Sequence, residues 1–269
     1  MTESISRKVL CVVVEGLDSM ISQAAVTENI GMLKQAGAST SDARILSESS
    51  LAANVAGLLS GVQSSAAANR STCKVRDQSN IIHLAVRAGC SIAAFYNSSV
   101  LNRLFDEALS DDIYFINGPI ERYDFKLMHL AAESIRMDRP DLCFVYMGLD
   151  KPLAGDYRNG VETCDKALGI ILHAMSLFGL FRLYHIHLIG LPSKETLSYA
   201  KPTGLEIRVP WIVSGPSIRA AYTIQSEVSI VDTVPTVAKL LNLPESRYWE
   251  GYPVDEAFVD SASDLRSVA

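Results

Sequence analysis

IRVPWIVSGPSI (207–218), followed by VSIVDTVPTVAKLLNLPESRYWEGYPVDEAF (228–258), is the most informative stretch of this 269-residue chain. Its first part is a β-branched and aromatic run that predicts a strand over 207–213, closed by Gly215-Pro216. Its second part predicts a helix over 230–241. Ser229 and Asp232 have capping-box spacing, Pro235 falls in the early turns where its missing N–H costs least, and Asn242 and Pro244 end the helix. On this reading Asp232 is a helix cap and not a ligand. Trp211 in the strand and Leu240 and Leu241 on the helix are expected to pack together in a core.

The same alternation runs outward through the chain. VLCVVV (9–14) has the continuous β-branched character of a strand buried on both faces. Further strands are predicted at 91–95, 112–116, 142–147 and 183–189. Helices are predicted at 19–36, with Gly37 as the residue past its end, and at 51–60, 78–88, 121–137 and 160–178. Strand–helix alternation of this kind gives an α/β fold with a mostly parallel central sheet flanked by helices on both faces. No shift in composition marks a linker. Residues 1–258 read as a single α/β domain and 259–269 as a loose C-terminal tail.

Composition narrows the function classes without choosing one. Hydrophobic residues make up 48% and charged residues 20%, which excludes disorder and coiled coil. A net charge of −6 argues against nucleic acid or an anionic membrane surface as partner. The five cysteines are scattered, with no C-x-x-C pair, and fit a reducing compartment better than a disulfide framework. The first apolar run stops at Glu15 after six residues, too short for a secretion signal, and no uncharged stretch reaches membrane-span length. The expected location is cytoplasmic.

In an open α/β sheet, functional groups gather at the carboxyl ends of the strands. Three such places stand out: Glu15-Gly16, Gly148-Leu149-Asp150 and Gly190-Leu191-Pro192. Their surroundings carry a resemblance. The strand, Gly-Pro turn and Asp-x-x-Pro-Thr helix of 207–236 resemble the end of the alkaline-phosphatase superfamily, in its type I phosphodiesterase/nucleotide pyrophosphatase branch. VVVEGLDSM (12–20) resembles that family's first strand and Asp-Gly turn, LLSG (58–61) the end of its nucleophile helix, and PDLCFVYMGLD (140–150) the strand that delivers a metal-binding Asp.

The resemblance implies two divalent metals, usually zinc, and a Thr or Ser nucleophile. A metal pair clamps the attacking and leaving oxygens and needs about six Asp and His ligands. This chain supplies few of them. Glu15 stands where the family has Asp, and Asp150 is retained. The ungapped nucleophile position is Leu51; Ser49 or Ser50 serves only with a slip of register, and both also read as caps of the following helix. Ala67 and Ala68 replace the family's His-Gly pair, and Asn69 is a weak match to its phosphate-steadying Asn. Ala154, Leu191, Pro192 and Tyr199 fall at the remaining ligand places.

The five histidines do not repair this set. His83, His129 and His173 lie inside predicted helices, most simply as surface or packing residues, while His185 and His187 share a strand face below its carboxyl end, a spacing that could bind metal but reads more simply as a satisfied or edge histidine pair. A scaffold whose ligand set is gone reads as a pseudoenzyme that acts by binding or assembly, with no cofactor. Its partner would be a protein or a phosphorylated small molecule, and a homo-oligomer is compatible. The alternative is a divergent phosphoester hydrolase using Ser49 or Ser50, Glu15, Asp150 and zinc or another divalent metal. A third reading is a sensor of a phosphorylated ligand, with Arg70, Lys74 and Arg76 as basic candidates.

Overall fold

The structure is a computed structural model. It describes residues 8–46, 50–63, 80–98, 101, 113–116, 123–148, 157–193, 196–198 and 206–259. Ser49, Asn69, Arg70, Lys74, Arg76, Asp150, Ala154, Tyr199 and the tail from 260 lie outside the described residues.

Eight strands form one sheet: β1 (Lys8–Glu15), β2 (Gly37–Arg44), β3 (Ile92–Tyr96), β4 (Ile113–Phe115), β5 (Leu142–Met147), β6 (Tyr184–Leu191), β7 (Arg208–Ser214) and β8 (Tyr222–Thr223). Their order is β4-β3-β5-β1-β6-β7-β2-β8. Only β7 opposes the rest, pairing antiparallel with both β6 and β2. The sheet is therefore mostly parallel, and the five strands from β4 to β6 direct their carboxyl ends to one edge.

Helices cover both faces, as the α/β reading requires. Leu10, Val12 and Val14 of β1 point to one side, where they meet α2 (Glu28–Ala36), α5 (Tyr123–Met137) and α6 (Tyr157–Leu177). Val9, Cys11 and Val13 point to the other, under α3 (Leu51–Ser60), α4 (Ile81–Arg87) and α7 (Thr233–Leu240). This is why β1 is apolar at every position from 9 to 14: both of its faces are core. Helix α6 buries Val161, Cys164, Leu168, Ile171 and Met175, a spacing of three and four that lays one stripe on the sheet.

One expectation is corrected. The helix predicted over 19–36 is broken into α1 (Ser19–Ala24) and α2. The cause is distant: Glu162 accepts the Val26 amide, and the Asp165 carboxylate accepts the amides of Asn29 and Ile30. Carboxylates supplied by α6 thus satisfy the orphan donors of a second helix start. Gly37 is the residue past the end of α2, as expected. Its backbone is extended and it opens β2, where a Cβ would lie 2.1 Å from the Val213 carbonyl oxygen. Strand β2 itself, GASTSDAR, escaped the sequence reading because only Ala38 and Ala43 among its later residues are buried apolar groups.

The C-terminal unit behaves as its sequence implies. A single 3-10 turn, 230–232, precedes α7, and the Ser229 amide donates to Asp232 Oδ2. Asp232 Oδ1 accepts the amide of Tyr252, tying the loop after α7 back to its start. Both carboxylate oxygens are committed to backbone amides, so Asp232 is a cap. The Val259 amide donates to the Ser217 carbonyl, so pairing continues one residue past Phe258.

Candidate functional site at the strand ends

Glu15, the last residue of β1, is 1% exposed. Its register partner on β6 is Leu191, and Gly148 follows Met147, the β5 partner of Val14. The row across the sheet mouth therefore reads Gly148–Glu15–Leu191. Glu15 Oε2 accepts a 2.9 Å hydrogen bond from the Tyr146 hydroxyl. Gly148 is glycine for a visible reason: a Cβ there would sit 3.0 Å from Ser98 Cβ and 3.2 Å from Glu15 Oε2. On the other side Leu191 is wholly buried and its carbonyl accepts the Gly16 amide at 2.7 Å. Gly16 adopts φ 84°, which lets the chain turn away from the sheet directly after the carboxylate.

A second network closes the mouth and was not anticipated from the sequence. Asn97, just after β3, accepts the Gly148 amide on Oδ1 at 2.6 Å and donates from Nδ2 to Asp124 Oδ1 at 2.8 Å. Asp124 Oδ2 accepts from the Cys164 thiol at 3.7 Å. Burial pushes the Asp124 carboxyl up to about 6, opposed by the bonds from Cys164 and Asn97. Burial and the neighbouring Asp124 also push the Cys164 thiol well above its ordinary range. This thiol is neutral and is not an activated nucleophile. The network joins β3, β5, α5 and α6 at one level.

Asp18 and Ser50 hold helix starts. Asp18 Oδ1 accepts the Ile21 amide at 2.9 Å, and Oδ2 accepts the Thr196 hydroxyl at 3.4 Å. Burial raises its pKa despite these bonds. Ser50 is the N-cap of α3, its hydroxyl accepting the Ala53 amide at 3.2 Å. Leu51 is the first residue of the helix and is buried in the core. His185 and His187 lie low in β6, level with Val9 and Cys11 and far from Glu15.

A two-metal centre needs several anionic or imidazole donors converging on one point. Among the described residues no group of three or more His, Cys, Asp or Glu side chains is placed to hold a metal ion. Glu15 is flanked by a glycine and a leucine, and its Oε2 is bonded to a phenol. The described residues do not fit a metal pair.

Solved structures share this architecture. A protein of the alkaline phosphatase superfamily from Vibrio parahaemolyticus superposes with a TM-score of 0.68, covering 94% of this chain and 71% of its own, at 14% identity. The fold is the alkaline-phosphatase fold. A 2-O GAG sulfatase shares this alkaline-phosphatase fold with a TM-score of 0.73 over 94% of this chain and 74% of its own, at 13% identity. Human ectonucleotide pyrophosphatase/phosphodiesterase 5 does so with 0.69 over 94% of this chain and 100% of its own, at 13% identity. The sequence matches no protein-family model and no curated protein. No helix among the described residues is long and apolar enough to cross a membrane.

Proposed function

We propose that this chain is a pseudoenzyme on the alkaline-phosphatase fold, holding neither a metal pair nor an activated nucleophile and acting through binding or assembly. The observation that carries the reading is the row Gly148–Glu15–Leu191, with Glu15 bonded to Tyr146. Where a metal pair would need converging donors, the described part of this row sets Glu15 between a glycine and an aliphatic side chain. The capping role of Ser50 supports the same reading, because its hydroxyl accepts a backbone amide at a helix start. The partner is a protein or a phosphorylated small molecule, not nucleic acid, and the setting is the cytoplasm.

A second reading has support from the fold neighbours, which include a sulfatase and a pyrophosphatase/phosphodiesterase. It is a divergent metal-dependent phosphoester hydrolase using Glu15, Asp150 and Ser49 or Ser50. Chromogenic phosphomonoesters and phosphodiesters assayed with zinc, manganese and magnesium separate the two. The pseudoenzyme reading expects no turnover above a buffer-plus-metal control. Turnover abolished by Ser49→Ala or Ser50→Ala establishes the hydrolase instead.

A further inference from the structure

His187 occupies the middle of β6, with Cys11 of β1 and Val213 of β7 as its register partners. It has no solvent exposure, and neither Nδ1 nor Nε2 has a hydrogen-bond partner. Buried polar groups are nearly always paired, so two bare ring nitrogens in a core are unusual. The ring stands edge-on to Trp211, with centroids 4.3 Å apart and planes at 84°. Trp211 in turn donates from Nε1 to the hydroxyl of Thr233, the first residue of α7. The unpaired imidazole therefore supports the ring that anchors the C-terminal helix to the sheet.

Among the described residues of the elements on this side of the sheet, no carboxylate is placed to neutralise an imidazolium. Helix α3 carries no ionisable residue, and α4 carries only the bases His83 and Arg87. The single ionisable residue of α7, Lys239, is paired with Asp255 at the surface. Asp232, just before α7, has both oxygens on backbone amides. Within the sheet, the Cys11 thiol is neutral, pushed up to about 12 by burial. His185 Nε2 faces the Ser217 hydroxyl at 2.8 Å, while Glu15 and Tyr146 bond each other at the strand ends.

We propose that His187 is an acid-operated release for helix α7: its ring stays neutral while α7 is docked, and taking up a proton requires α7 and the Trp211 side chain to move off the sheet face. Burial lowers its pKa from 6.5 to about 3, in keeping with the geometry. A base depressed in this way contributes stability at neutral pH that is lost as pH falls from its unfolded value toward its folded one. Between pH 7 and pH 5 the opening equilibrium should rise about 25-fold.

Hydrogen exchange of the α7 amides in the full-length chain, corrected for the intrinsic pH dependence of exchange, reads this directly. The wild type should show the rise of about 25-fold, while His187→Phe and His187→Leu should stay flat and be no less protected at pH 7. An equal rise in those variants overturns the proposal. If neither variant folds, an NMR titration of the His187 ring in the wild type decides. The ring should remain neutral below pH 5 for as long as α7 stays protected; titration near 6.5 in the docked state overturns it.

Discussion

Replacing Trp211 with alanine tests the packing of the C-terminal unit most severely. Trp211 is fully buried, covers the sheet face beneath α7, and makes two defined contacts: the edge-on His187 ring and the Thr233 hydroxyl. Truncation removes the indole from the core and leaves a cavity, which costs about 3–5 kcal/mol. It also deprives the buried Thr233 hydroxyl of its donor, adding about 1 kcal/mol. A domain has only about 5–15 kcal/mol of stability in all, so the variant should lie close to the folding threshold. At roughly 2–4 °C per kcal/mol for a chain of this size class, the melting temperature should drop by about 10 °C or more. Urea denaturation followed by far-UV circular dichroism gives the free energy, and differential scanning calorimetry gives Tm. Trp211→Phe, which keeps an aromatic ring but loses the N–H, should fall between the two. A loss below about 1 kcal/mol for Trp211→Ala would show that the indole does not anchor α7, because a side chain so enclosed cannot be removed that cheaply.

Two further predictions concern the strand ends. Asp124→Asn keeps an acceptor for Asn97 but cannot ionise. The wild-type carboxyl is raised from 3.8 to about 6, so its stabilising neutral form is fully present below 3.8 and lost as pH rises through about 6. The variant should equal the wild type near pH 4 and exceed it by as much as about 3 kcal/mol at pH 7; a difference that does not change with pH in denaturant titrations contradicts this. Ser50→Ala should cost about 0.5–2 kcal/mol through loss of the α3 cap, and Ser50→Asp should restore most of it; thermal melts in which Ser50→Asp is no better than alanine count against the capping role.

What the sequence revealed and what it concealed divide by the range of the interactions involved. Strands β1, β5 and β6 were legible because each is apolar enough to be buried on both faces without reference to any other segment. The α7 unit was legible because its cap and its breaker are local. The division of 19–36 into two helices was not, because Glu162 and Asp165, more than 130 residues away, supply the carboxylates that start α2. Strand β2 was hidden for a similar reason: its place is fixed by pairing with β7, not by its own small polar residues.

At the site, the carboxylate at the end of β1 could be read from the strand pattern, but its bond to Tyr146 could not, since a tyrosine inside an apolar strand gives no hint of where its hydroxyl points. The Asn97–Asp124–Cys164 chain draws on three segments with no shared motif, and only their convergence at one sheet edge reveals it.

Whether the sheet mouth can hold divalent metal decides between a pseudoenzyme and a hydrolase. Purified protein equilibrated with excess zinc or manganese, passed through gel filtration and analysed for metal content, answers this directly. A pseudoenzyme should carry no stoichiometric metal, with Glu15→Ala indistinguishable from wild type. One or two ions per chain, lost in Glu15→Ala or Asp150→Ala, would contradict it.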